Sequence, residues 1–402
     1  MSGLLLVAGV LIACFVAYNV GGATTGPAFG PAVGADAVSK PVAAALMSVC
    51  FALGAWTLGR RVVDTLGRDL VHDPGLFTLP VSIVVLFFIG GALLVGNLSG
   101  APSSTSMTAV GAIAGLGVAS GELAWAVVGE IVAWWFVSPV LGFWTAVMIG
   151  RYAYPYIDRV IAIDQTDGPL LSLEGTGAVP RPALGPNTTR RELAGTVVVV
   201  GIGCLMAFSS GASNIANAVA PLVGSGELAM NTGILVGSAA VAVGAFTIAR
   251  RTMDTLGSDI TDLPLTAAIV VAVISSLIVI LLSTAGIPAS FVIIATMCIV
   301  GLGWGRATRA VTIADAVRGR DTPTLSVDAL GHGEENPTVG DPTIDDSSDA
   351  HQPIGERGVD EARDATDLFD PDAAARVVFM QNVVPALATG CSFLTFEFLL
   401  AV

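Results

Sequence analysis

Long apolar runs follow one another along most of this chain, each closed by a short polar or Gly/Pro-rich stretch. They cover Leu4 to Tyr18, Pro41 to Gly59, Leu79 to Leu98, Glu122 to Ile149, Leu193 onward, Thr232 to Ile248, Leu265 to Gly286, Ala289 to Trp304 and Val377 to Val402. About twenty residues carry a helix across a bilayer, so most of these runs predict a transmembrane helix. The run from Glu122 is long enough to tilt, and Pro139 predicts a kink in it. Arg376 is read as the cap of the last helix. Two interruptions differ from ordinary loops. The stretch NVGGATTGPAFGPAVG, Asn19 to Gly34, is rich in Gly and Pro yet almost uncharged. It predicts a first helix that breaks after Tyr18 into irregular backbone at membrane depth. The second, SSGASNIANAVAP from Ser209 to Pro221, places hydroxyls and carboxamides where a membrane helix ordinarily carries hydrocarbon. Bare polar groups there cost several kcal/mol each, roughly, so they need partners or a hydrophilic ligand.

Composition fixes the class. Of 402 residues 53% are hydrophobic and 12% charged, with a mean hydropathy of +0.78. Soluble domains carry charge on about a quarter of their residues, so this is a multi-pass protein of the cytoplasmic membrane, with the lipid bilayer as its solvent and no nucleic-acid partner. The formal charge of −14 is concentrated: between Asp315 and Ala375 sixteen Asp or Glu stand against four Arg. That soluble, disordered acidic segment and the single lysine, Lys40, suggest a high-salt organism. Cys14, Cys50, Cys204, Cys298 and Cys391 are isolated within or beside apolar runs and behave as small apolar residues. His72, His332 and His351 all lie in polar connections, and neither HExxH spacing nor a buried Ser and His pair is present. No enzyme activity, metal or cofactor is expected.

The chain also repeats itself. LGAWTLGRRVVDTLGRDL, from Leu53, lies over VGAFTIARRTMDTLGSDI, from Val243, at an offset of 190 residues. The same offset lays Ala23 and Thr24 under Ser213 and Asn214, and Pro31 under Pro221; with a four-residue shift Pro102 and Ser104 lie over Pro288 and Ser290. The organisation read from this is a first membrane repeat over 1–150, a polar linker over 151–192, the main part of a second repeat over 193–304, the acidic segment over 305–375 and a final helix of the second repeat over 376–402. The fold class is an all-α polytopic membrane protein of two homologous repeats with broken helices and re-entrant hairpins, inverted if each repeat makes an odd number of crossings. Gly/Pro-interrupted segments at matched positions of two halves point to a transporter binding site.

Ser103 to Ser106 form a hydroxyl cluster opening a small-residue helix that runs to Ala119. Its amides and dipole favour an anion. Asn214 and Asn217, three apart, face together. Glu130 is an ionisable group inside a span and a candidate for ion coupling. Arg60 with Asp64, and Arg250 with Asp254, are spaced as i, i+4 salt bridges, and Trp134 and Trp135 as packing or belt residues.

On these residues the chain resembles the inorganic phosphate transporter (PiT) family, whose halves each hold a G-A-N-D-V-A-N-A-like break and a P-V-S-T-T-H-A-like hairpin. GASNIANAVAP matches the break at Gly211, Ala212, Ala216, Asn217, Ala218 and Pro221, and PSSTSMTAVGA keeps Pro102, Ser104 and Thr105 with Ser106 as a conservative replacement. The RRxxDTLGxD element and SPVLG at Ser138 to Gly142 also resemble it. The Asn-Asp pair becomes Ser213 and Asn214 in one copy and Ala23 and Thr24 in the other, and the second hairpin, PASFVIIA, keeps only Pro288 and Ser290. The resemblance implies symport of phosphate with sodium or protons by alternating access, and a chain that forms homo-oligomers remains open. The substrate-binding residues so expected are Ser104, Thr105, Ser106, Ser213, Asn214, Asn217, Ser290, Thr24 and Thr25; Asn214, Asn217 and Glu130 are the candidates for ion coupling. Sulfate or another small oxyanion is the alternative cargo, because the neutral donors include no carboxylate to accept the proton of phosphate. A non-transporting sensor or scaffold is the alternative of a different class.

Overall fold

The structure is a computed structural model, and it describes residues 2–34, 38–98, 104–161, 171–174, 181–184, 190–247, 265–308 and 371–400. The first half supplies α1 (Ser2–Gly34), α2 (Lys40–Thr57), α3 (Gly59–Asp64), α4 (Leu79–Leu98), α5 (Thr105–Ser120) and α6 (Trp125–Met148). A π-helical turn, Ile149–Ala153, joins α6 to α7 (Tyr154–Ile161), and the linker holds a hairpin of β1 (Leu171–Glu174) and β2 (Arg181–Leu184). The second half supplies α8 (Arg190–Gly224), α9 (Met230–Thr247), α10 (Leu265–Thr284), α11 (Phe291–Ala307) and α12 (Pro371–Leu400).

Lipid offers no hydrogen bonds, so an apolar run satisfies its backbone only as a helix. Seven helices among the described residues are long and apolar enough to cross a membrane. The helices α5 and α11, with 16 and 17 residues, fall short of the about 30 Å hydrocarbon core. Side chains such as Leu4, Leu98, Phe136 and Phe398 are exposed on the outside of the bundle, where lipid would cover them.

Both anticipated breaks are absent. The first helix runs unbroken from Ser2 to Gly34, and α8 runs unbroken through Ser209 to Pro221. Hydroxyls bonded to carbonyls one turn back belong to this continuity: Thr24 Oγ1 donates to Val20 O at 2.8 Å and Thr25 Oγ1 to Gly21 O at 2.6 Å. Gly and Pro lose much of their helix-breaking weight where no water competes for the backbone. The glycines serve helix crossing instead. A Cβ on Gly21 would collide with the Val241 carbonyl, and one on Gly211 with that of Phe51; Gly54 and Gly244 bear in the same way on Phe208 and Tyr18. Each of these contacts maps onto its mate at the 190-residue offset.

The packing obeys the same exchange. α1 lies against α9 as α8 lies against α2, α4 against α1 as α10 against α8, and α5 against α12 as α11 against α6. Gly115 and Gly301, 186 residues apart, sit at the crossings of the last pair, on Thr389 and Phe143. The two halves therefore interlock, each covering the short helix of the other, with α1 and α8 side by side at the centre.

Three smaller expectations are corrected. Arg60 does not pair with Asp64: it donates to Asn231 Oδ1 at 2.6 Å and lies over the Trp56 ring, while Asp64 pairs with Arg68 at 2.9 Å. The last helix begins at Pro371, so Arg376 lies inside it rather than capping it. Trp135 is more than packing, since its Nε1 donates to Pro288 O at 2.9 Å and ties α6 to the entry of α11. The second RRxxDTLGxD copy, with Arg250 and Asp254, the Pro102 turn and the acidic segment lie outside the described residues.

Candidate functional site

A small cavity of about 50 Å³ opens where four helices meet. Helix α1 contributes Ala23, Thr24, Pro27 and Ala28, and α8 contributes Met206, Ser210 and Asn214. The remaining wall is made by the starts of the two short helices: Ser104 and Thr105 of α5, Ser290, Phe291 and Val292 of α11.

The two helix starts are built alike. Ser104 (φ −75°, ψ 106°) and Ser290 (φ −90°, ψ 104°) are extended N-caps whose hydroxyls accept from Met107 N at 3.2 Å and from Ile293 N at 3.5 Å. A hydroxyl that accepts in a cap keeps its own O–H to give away. First-turn amides have no carbonyl partner within their helix, so those of Thr105, Ser106, Phe291 and Val292 lie at the two ends that face the cavity. Each end also carries roughly half a positive charge from the helix dipole.

Asn214 is the hub of the polar network. Its Oδ1 accepts from Thr105 Oγ1 at 2.7 Å, Ser106 Oγ at 3.3 Å and Asn217 Nδ2 at 3.2 Å, and its Nδ2 donates to Ser210 Oγ at 3.0 Å. Its carbonyl is thereby saturated from behind, while one N–H and the Ser210 hydroxyl proton remain for the cavity. Behind this layer, Ser213 and Ser106 stitch the extended entry of α11 in place. Ser213 Oγ and Ser106 Oγ reach Ala289 O at 3.1 and 3.0 Å, and Ala289 N reaches Ser213 Oγ at 3.1 Å. Asn217 is fully buried and its Oδ1 has no partner. The lining thus offers neutral donors and helix ends, and no charged side chain among the described residues. Such a set is suited to a dehydrated anion, because it supplies hydrogen bonds and positive potential without a fixed counter-charge.

A family model described as the phosphate transporter family matches residues 20–319. The chain belongs to that family. Among its relatives are the sulfate permease CysP of Bacillus subtilis (strain 168), 28% identical over 300 residues that cover 74% of this chain and 77% of that protein. The "Putative phosphate permease" of Helicobacter pylori (strain ATCC 700392 / 26695) is 26% identical over 373 residues, covering 76% and 69%. A solved structure titled "The sodium-dependent phosphate transporter" aligns over 98% of this chain and 99% of its own with a TM-score of 0.61; at 17% identity the likeness is one of fold. This member of the phosphate transporter family is an α-helical, multi-pass membrane protein.

Of the residues singled out from its sequence, Thr24, Ser104, Thr105, Asn214 and Ser290 line the cavity. Ser106 and Asn217 stand one layer behind and bond Asn214, and Ser213 bonds Ala289 at the entry of α11. Thr25 is fully buried with its hydroxyl on Gly21 O. Glu130 lies elsewhere, exposed on α6 within two turns of its start. Ser210 and the apolar walls formed by Met206, Pro27, Phe291 and Val292 were not singled out as site residues. Ser210 had a signal, since it sits one turn before Asn214 on the same face; the apolar walls had none.

Proposed function

We propose that this protein is a secondary transporter that moves a small tetrahedral oxyanion, inorganic phosphate, across the membrane by ion-coupled symport with alternating access. The observation that carries this reading is the convergence of two Ser-capped helix starts, Ser104 and Ser290, on one cavity whose remaining polar side chains are Thr24, Thr105, Ser210 and Asn214. One helix start comes from each half, so rocking of one half against the other would open the cavity to either side of the membrane in turn. Family membership supports phosphate as the cargo.

Sulfate is a second reading, favoured by the absence of any carboxylate among the cavity's described lining residues. Phosphate near neutral pH keeps at least one hydroxyl that needs an acceptor, and Asn214 Oδ1 is already filled by Thr105 and Asn217. Sulfate needs donors alone. The relative that is a sulfate permease agrees with this reading.

The test is uptake of radiolabelled phosphate and sulfate by proteoliposomes, with and without sodium and with the proton gradient collapsed. Phosphate entry that depends on one of the two ions is the outcome anticipated. Sulfate entry alone would select the second reading, and entry of neither would favour a sensor or scaffold.

A further inference from the structure

The cavity mixes polar and apolar side chains. Its side-chain donors come mainly from the start of α5 and from α8, as Ser104, Ser210 and Asn214, with Ser290 at the start of α11. Other lining side chains are hydrocarbon and thioether: Phe291 and Val292 on α11, Met206 on α8, Pro27 on α1. Internal symmetry makes the imbalance plain. At the 186-residue offset that superposes the caps Ser104 and Ser290, Thr105 and Ser106 correspond to Phe291 and Val292, and at the 190-residue offset Asn217 corresponds to Pro27. A fully inorganic tetrahedral anion presents oxygen in every direction, so part of it would face side chains that return no hydrogen bond. Burying a polar oxygen without a partner costs about 1–3 kcal/mol.

Charge points the same way. Two helix ends at roughly half a positive charge each offset about one negative charge, and no charged side chain among the described lining residues adds to them. A monoanion matches that balance. Dihydrogen phosphate is a monoanion but brings two hydroxyls that need acceptors, and with the Asn214 carbonyl filled only hydroxyl oxygens such as Thr24 Oγ1, whose own proton goes to Val20 O, are left to accept them.

We infer that the site also takes small organosulfonates, tetrahedral monoanions with three acceptor oxygens for the donor wall and one alkyl group for the wall of Phe291, Val292 and Met206. The inference rests on the oxyanion reading above and narrows it. The alkyl group replaces water against the apolar wall, and the sulfonate carries no proton that needs an acceptor.

The probe is radiolabelled methanesulfonate, with phosphate and sulfate run beside it in the same proteoliposomes. Methanesulfonate enters the wild-type vesicles, and in excess it competes with whichever inorganic anion is carried. Replacing Phe291→Thr, which restores the residue type of the matched position, lowers the ratio of methanesulfonate to inorganic anion uptake about tenfold, the scale of a lost apolar pocket contact. Val292→Thr, a smaller change in volume, gives the same direction and guards against a Phe291 variant that does not fold. Entry of phosphate or sulfate with neither entry of nor competition by methanesulfonate overturns this inference alone. Entry of none of the three overturns the oxyanion reading as well. Equal loss of all uptake in a well-folded Val292→Thr protein also counts against it.

Discussion

Asn214 shows how one side chain can settle the character of a site. Thr105 and Asn217 donate to its single carbonyl oxygen, with Ser106 Oγ 3.3 Å away and also within reach of Ala289 O. A carboxylate at this position would find the same donors waiting, and Ser210, which now accepts from Nδ2, would turn its hydroxyl round to donate. Asn214→Asp is therefore accommodated, and its effect is electrostatic. The added charge repels an oxyanion when ionised and invites a cation. Ionisation is lost as pH falls through the new group's pKa, so uptake by the variant rises as pH is lowered, and at higher pH it becomes sodium-stimulated. Initial uptake rates over a pH series, with and without sodium, check this; a variant that follows the wild type throughout contradicts it. At this scale the sequence was readable wherever polarity contrasts with its surroundings, as at Ser104, Thr105, Asn214, Ser290 and Thr24. It was silent on Met206, Phe291 and Val292, because an apolar residue in a membrane protein contrasts with nothing. It also could not separate the cavity layer from the supporting layer: Asn214 and Ser213 are neighbours, but successive residues on a helix point about 100° apart, so one meets the cavity and the other clamps Ala289.

At the scale of elements, apolar length placed the helices well. Leu79 to Leu98 is the observed α4, and the short helix read from Ser103 begins at Thr105 behind its Ser104 cap. The breaks were misread because Gly and Pro carry two meanings. In water both end helices; in lipid both are tolerated within them, and Gly lets helices approach each other. Gly211 and Gly129 separate the two roles. A methyl on Gly211 would meet the Phe51 backbone across the α2–α8 crossing, whereas nothing lies within 4 Å of a Cβ on Gly129. Gly211→Ala should lower stability by about 1–3 kcal/mol through overpacking. Gly129→Ala should be neutral or stabilising by up to about 1 kcal/mol through helix propensity. Thermal unfolding in detergent compares them, and equal midpoints for the two variants would show that the crossing is looser than described.

For the whole molecule, the repeat was visible because it is written in unlike residues, Arg, Asp and Gly, rather than in hydropathy. Its consequence was not visible. No sequence pattern announces that α6 of the first half covers α11 of the second while α12 covers α5, since that exchange depends on small-residue crossings distributed over the whole chain. The interlocking places one helix start from each half at a shared cavity, and this is the feature on which the proposed transport rests. The most direct measurement is oxyanion uptake by proteoliposomes carrying the double replacement of Ser104→Ala and Asn214→Ala. The control is Ser120→Ala, at the far end of α5, where the hydroxyl bonds Leu116 O. Loss of two donors from the cavity should cut uptake by about tenfold or more, at about 1 kcal/mol or more for each hydrogen bond to a charged group, with the control unchanged. Wild-type uptake by a well-folded double variant would mean that the anion passes by another route.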